Sequence, residues 1–362
     1  MICILLREIA ENMIQKSKKK DLKWQMARGI CIMAVILIHC PNASSSPQFS
    51  GSFRSWLVFR QFVNFPVAFF FFLAGYFTDF EKALNTRLFY KNRGGDKLFV
   101  PFVIWSMLYS AEPVLKSILQ HQSIDWCGIL LKCISGRAAA HLYFVVVLIQ
   151  LVLLTPLLIK LISSHNFRNF LYLITPLWLV FLYIYTITQK EVFPYYHILF
   201  PAWIGFYVFG LSLKAGHHKK SGSSLLFVSA ALFFEIAEAF FLLKFSGSVG
   251  FASSQIRFSA FLYAFQVIMF SWNHPGIVEA RNRFERFMIY IGDRSYGIFY
   301  IHLFFVQIGK ILCQRLGLQS WLLKCMFTFF ISLTASLIFM AITRKILIKY
   351  KMKRILPVIG FS

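Results

Sequence analysis

Ten runs of mostly apolar residues dominate the chain, at about 26–45, 56–78, 99–119, 141–162, 168–188, 196–214, 223–243, 254–273, 288–311 and 320–343. Each approaches the roughly 20 residues that a helix needs to cross a hydrocarbon core of about 30 Å. A stretch such as Phe69-Phe70-Phe71-Phe72 would also suit a strand. Run length and the lack of period-two alternation favour helix. The pattern therefore predicts an all-α, polytopic integral membrane protein of about ten transmembrane helices. It divides the chain into an N-terminal tail (1–23), a membrane domain (24–343) and a C-terminal tail (344–362). Connecting loops are too short to form a soluble domain, and no internal repeat is visible.

Composition agrees. Hydrophobic residues make up 58% of the 362 positions and charged residues 14%, where soluble domains have about 45–50% and about 25%. With 43 Phe, 15 Tyr and 8 Trp, a soluble globule of this size would expose large apolar patches. A soluble enzyme, a disordered chain and a secreted disulfide scaffold are excluded as readings. The seven Cys contain no CxxC pair, so neither a zinc ribbon nor a thioredoxin-like site is expected, and no metal is assigned. A Cys127–Cys133 bridge within one outer loop is one reading of that pair, and apolar filler the other.

The formal net charge of +24 would suggest nucleic acid in a soluble protein. Here its distribution matters more. With ten spans, 27 of the 38 Lys and Arg residues fall on the side of the termini and 11 on the other. This positive-inside asymmetry predicts both termini in the cytoplasm. It makes membrane lipids, not nucleic acid, the expected partner of the cluster Lys16, Lys18, Lys19, Lys20 and Lys23.

Ionisable groups within the apolar runs are costly and therefore informative. In the first run Arg28 and His39 are 11 positions apart. At about 100° per residue that is close to three full turns, so both share one face, about 16 Å apart along the axis. A cation at the inner surface suits an anionic donor, and an imidazole deeper in suits proton transfer. A snorkelling Arg and a buried structural His fit the same spacing.

Five segments, in order, resemble acyltransferase family 3. Arg28-Gly29-Ile30 through His39 is similar to the family's first-helix signature. Phe70-Phe71-Phe72-Leu73-Ala74-Gly75-Tyr76-Phe77 resembles the end of its second helix. Lys91-Asn92-Arg93-Gly94-Gly95-Asp96-Lys97 followed by Val100-Pro101-Phe102-Val103-Ile104-Trp105 resembles its basic inner loop and the start of its third helix. His141-Leu142-Tyr143-Phe144 resembles the start of its fourth, with Tyr143 where Trp is usual. Ser295-Tyr296-Gly297-Ile298-Phe299-Tyr300-Ile301-His302 resembles a segment of its ninth. Gln25 departs from the Asp often found three residues before the Arg.

The resemblance implies transfer of an acyl group, most often acetyl, from cytoplasmic acyl-CoA (acetyl-CoA as co-substrate) to a hydroxyl of a cell-envelope, exported or lipid-linked glycan. It implies a multi-pass protein of the bacterial cytoplasmic (inner) membrane. In this reading His39 deprotonates the acceptor or carries the acyl group transiently. Arg28, Arg93 and Lys97 meet the phosphates of CoA. For Arg93 and Lys97 the positive-inside bias alone is the competing explanation.

His141, at the outer start of the fourth span, and His302, within the ninth, are candidates for orienting the acceptor. Either would equally serve as a buried His bonded to a carbonyl. Glu235 and Glu238 share a helical face three residues apart. They suit sugar hydroxyls, or pairing with a nearby Arg. Glu112 on the third span is a further candidate for the acceptor. A transporter or flippase for a polysaccharide or lipid-linked sugar is the alternative function. It calls for a continuous polar pathway and paired broken helices, whereas the marked polar residues here concentrate on spans one, four and nine.

Overall fold

The computed structural model describes residues 22–44, 46–85, 97–218, 222, 224–277 and 279–361. Among them thirteen helices of nine residues or more follow one another. They are α1 (Leu22–His39), α2 (Gly51–Phe62), α3 (Pro66–Tyr76), α4 (Val100–Leu119), α5 (Trp126–Ile134), α6 (Tyr143–Ile162) and α7 (His165–Gln189). Then come α8 (Ile204–Lys214), α9 (Leu225–Ser246), α10 (Phe258–Asn273), α11 (Arg283–Asp293), α12 (Ser295–Arg315) and α13 (Trp321–Lys349). No strand occurs among the described residues. Every predicted run contains α-helix, and among the described residues eight segments are long and apolar enough to cross a membrane.

Three runs are more complex than one straight helix. The second is broken between α2 and α3, where Pro66 opens α3 and lacks the N–H that would continue the ladder. The ninth run is interrupted at Arg294. Its charged, amphipathic N-terminal part is α11, and the crossing helix starts only at Ser295. The sixth run is α-helical only from Ile204, after an extended Leu199 and a single 3-10 turn at Phe200–Ala202 that contains Pro201, which has no N–H to give to a helix ladder. The backbone freed there finds partners on neighbouring helices. Gln150 donates to Ile198 O (2.9 Å) and accepts from Phe200 N–H (3.0 Å), and Thr175 bridges Pro201 O and Gly205 N–H (2.8 and 2.9 Å). Irregular backbone survives at membrane depth when protein satisfies it in this way. Residues 204–213 of α8 are all buried, so an 11-residue helix suffices at the centre of the bundle.

Two helix pairs touch backbone to backbone. A Cβ on Gly75 would lie 2.1 Å from Tyr207 O, and one on Gly210 2.1 Å from Phe72 O, so α3 and α8 cannot accept a methyl group between them. Gly29 of α1 and Gly292 of α11 make the same kind of contact with Met288 O and Gln25 O, at 2.2 and 1.8 Å. Small residues allow helices in lipid to approach this closely.

The connections alternate between two ends. At one end Leu22 N–H donates to Ile277 O (2.8 Å), the Tyr296 hydroxyl to Lys97 O, and Trp105 Nε1 to Ile359 O (3.1 Å). At the other end Trp321 Nε1 donates to Ser55 Oγ (3.1 Å), Arg137 Nη1 to Tyr195 Oη (2.7 Å), and Tyr196 Oη to Ser254 Oγ (3.1 Å). Among the described residues the first end holds more of the Lys and Arg side chains than the second. Part of the C-terminal segment is folded against it, with Phe361 buried near Trp105.

Candidate active site

Three histidines from three separate elements converge. His39 ends α1, His302 lies within α12, and His141 sits in the turn before α6. The ring centroids are 5.0 Å apart for His141 and His302, 5.4 Å for His39 and His302, and 6.5 Å for His39 and His141. His302 is fully buried and His141 nearly so. His302 Nδ1 lies 2.7 Å from Phe299 O and 3.1 Å from Ile298 O. Carbonyls only accept, so Nδ1 carries the proton and Nε2 keeps its lone pair, directed away from the helix backbone. That Nε2, and both ring nitrogens of His141, have no hydrogen-bond partner among the described residues. Such groups cost about 1–3 kcal/mol each when left unsatisfied, so the cluster favours anything that brings a hydroxyl to it.

Two cavities with shared lining residues lie near this cluster, one of them lined by His39 and His141. An outer chamber of about 200 Å³ is lined by His39, Arg60, His141, Tyr143, Tyr196 and Gln255, among others. Gln255 Oε1 is a further buried acceptor without a partner among the described residues. An inner chamber of about 410 Å³ has Arg28, Lys97, Ser295 and Tyr296 in its wall. Phe70, Phe144 and Phe299 line both chambers. These rings form the partition, with Phe144 6.2 Å from Phe70 and 5.4 Å from Phe299, and Phe299 4.8 Å from His141. The shared face of α1 thus opens at Arg28 into one chamber and at His39 into the other. Arg28 is held by Gln25 Oε1 (3.4 Å) and lies over the Phe77 ring (4.9 Å).

The remaining candidates separate. Arg93 lies outside the described residues. Glu112 is exposed on the outer half of α4 and lines neither chamber. Glu235 and Glu238 turn to Arg257, each 3.4 Å from it. Arg257 and Glu235 are fully buried, and Gln61 and Asn64 complete the network, Asn64 Nδ2 donating to Glu235 Oε1 at 2.8 Å. Glu238 also accepts from the hydroxyls of Tyr183 (2.6 Å) and Ser259. The carboxylates therefore fasten α9 and α10 to the break between α2 and α3. Cys127 and Cys133 are both free thiols, and Cys133 faces Ser110 at 3.1 Å, which overturns the idea of a bridge. Among the described residues no group of three His, Cys, Asp or Glu side chains is arranged to hold a metal ion.

Sequence reasoning missed Arg60, Tyr196, Gln255 and the phenylalanine partition. Arg60 entered only as one charge near a span end. Phe70 stood out in its run, but nothing in the sequence marks it as shared between two cavities.

Residues 22–341 match the family described as "Acyltransferase domain", which is acyltransferase family 3. No curated protein and no solved structure matches the chain. With nearly the whole chain matched, helices long and apolar enough to span a membrane, and the Arg28 and His39 pair each open to its own chamber, this chain belongs to acyltransferase family 3 and is an integral, multi-pass membrane acyltransferase.

Proposed function

We propose that the protein takes an acyl group, most readily acetyl, from acyl-CoA bound at the inner chamber and transfers it to a glycan hydroxyl presented in the outer chamber. The observation that carries this reading is the opening of Arg28 and His39, on one helix, into two cavities divided by three aromatic rings. Arg28 and Lys97 supply cations for the phosphates of CoA, where charge-assisted hydrogen bonds are strongest, and Arg93 is assigned the same role from the family resemblance alone. The excess of basic residues at that end supports a cytoplasmic location for it and for both termini. The membrane in this reading is the cytoplasmic (inner) membrane of a bacterial envelope, where acyl-CoA lies on one side and envelope or exported glycan on the other.

The chemistry follows from the histidines. The thioester end of the donor passes between Phe70, Phe144 and Phe299. His39 accepts the proton of the acceptor hydroxyl as its oxygen attacks the thioester carbonyl. The new C–O bond forms, the C–S bond breaks, and the CoA thiolate takes the proton back from the imidazolium. His302, with its proton fixed on Nδ1, offers a lone pair that orients its neighbours, and His141 meets the acceptor. Glu235 and Glu238 act as positioning residues in this scheme, and Glu112 has no part in it. The apolar partition argues against a continuous polar pathway of the kind a flippase needs.

The test is mass spectrometry of envelope glycans from cells with and without the gene. The reading expects the loss of one acyl mass from a defined glycan, together with incorporation of label from [¹⁴C]acetyl-CoA into that glycan by the purified protein. Unchanged glycans, and purified protein that neither binds nor consumes acyl-CoA, would contradict it.

A further inference from the structure

Arg60, in the last turn of α2, stands where the outer chamber meets a second cavity. This cleft has a volume of about 360 Å³, and Asn42, Ser44, Trp56 and Ser253 contribute to its wall. Ile38 and Arg60 line both spaces, so a molecule lodged in the cleft reaches His39 past the guanidinium. The two arginines of this region are treated differently. Arg257 has both nearby carboxylates, Glu235 and Glu238, and is fully buried. Arg60 is half-buried and donates through Nη1 to the neutral side-chain oxygen of Asn64. Among the described residues no carboxylate lies within ion-pair distance of it. The remaining donors of its planar fork match the two oxygens of a carboxylate or phosphate.

We infer that the acceptor is an acidic glycan whose carboxylate or phosphate is held by Arg60, and that this contact presents the acceptor's hydroxyl to His39. The inference rests on the acyl-transfer reading and names the acceptor class for it. Polar groups in the cleft (Asn42, Ser44 and Ser253) suit sugar hydroxyls, and Trp56 offers an apolar surface to a sugar's C–H face. Arg60 is thus a specificity-determining residue for the acceptor, separate from the donor cations Arg28 and Lys97.

The experiment uses the full chain in lipid nanodiscs with acetyl-CoA. Three acceptor probes are compared: an oligogalacturonate, its carboxyl-reduced neutral counterpart, and a hexose 1-phosphate. Acceptor binding, acetyl transfer by mass spectrometry and CoA release without acceptor are measured separately. The expected result is a kcat/KM at least about 10-fold higher for an anionic probe than for the neutral one. The carboxylate and phosphate arms identify which anion is recognised. Arg60→Gln should remove that preference mainly by raising KM for the anionic probe, and Arg60→Lys should restore part of it. Equal use of neutral and anionic probes by the unaltered protein overturns the inference, and that arm is independent of how any variant folds. So does an equal fall in kcat for all probes in Arg60→Gln, which would mark a role in the chemistry and not in recognition. Failure to bind either anionic probe while CoA is still released also overturns it. If acetyl-CoA is neither bound nor consumed, the acyl-transfer reading itself fails and the inference falls with it.

Discussion

The rings of His39 and His302 lie 5.4 Å apart, although one ends α1 and the other lies in the middle of α12. The pairing is fixed from both sides. The close contact of Gly29 and Gly292 ties α1 to α11, which runs directly into α12 across Arg294. The carbonyls of Ile298 and Phe299 lock the His302 ring in one orientation. A cluster of three histidines therefore forms where no single segment of sequence contains it.

His39 is the member of this centre that lines the outer chamber from α1. His39→Gln keeps hydrogen bonding but lacks a group that accepts a proton near neutral pH. Acyl transfer should fall at least about 10²- to 10⁴-fold, the usual contribution of a positioned general base, with acyl-CoA binding retained. Steady-state transfer assays beside a CoA-binding titration check this. Near-normal turnover would pass the catalytic role to His141 or His302.

Lys97→Ala at the inner chamber, combined with Arg93→Ala, should weaken CoA binding and leave the folded protein intact. Each lost phosphate contact is expected to cost about 1.5–3 kcal/mol where it is a charge-assisted hydrogen bond. Affinity measured in detergent at two salt concentrations should show a shallower salt dependence in the double variant. Unchanged affinity would return both residues to a purely topological role.

The Arg257 network makes a prediction about stability. Arg257→Ala leaves Glu235 buried without its counter-charge, and breaking a buried ion pair from one side costs about 3–5 kcal/mol. Thermal unfolding followed by thiol-reactive fluorescence should show a large fall in midpoint. A variant as stable as the parent would free Glu235 and Glu238 for a direct role with substrate.

Gly210→Ala tests how α3 and α8 are joined. The added Cβ would meet Phe72 O at 2.1 Å, so the helices must separate. Overpacking of this kind typically costs about 1–3 kcal/mol, and the yield of monodisperse protein in detergent should drop. Full tolerance would mean that the helices have room to part.

Much of this architecture is written in the pattern of apolar runs, because length and composition decide what crosses a bilayer. The position of Arg28 and His39 on one face is equally legible, since it needs only helical periodicity within one run. What local pattern does not carry is partner choice between distant segments. Glu235 and Glu238 suit either sugar hydroxyls or an Arg by their spacing, and only the fold brings Arg257, at the start of α10, within 3.4 Å of both. The unwound start of the sixth run depends on Gln150 and Thr175 from two other helices. Arg60 gains its meaning only from the cavities around it. The ninth run reads as unbroken over 288–311, and the break at Arg294 appears only in the fold, where α11 packs on α1.

The central claim is transfer from a donor on the Arg28 side to an acceptor on the His39 side, and sidedness tests it most directly. In sealed inverted membrane vesicles carrying the protein, labelled acetyl-CoA is supplied only to the exterior, which is the cytoplasmic face, and the glycan acceptor is enclosed in the lumen. The account predicts acetylated glycan inside the vesicles, lost in His39→Gln, with free CoA accumulating outside. Product formed only when donor and acceptor share one compartment would contradict it.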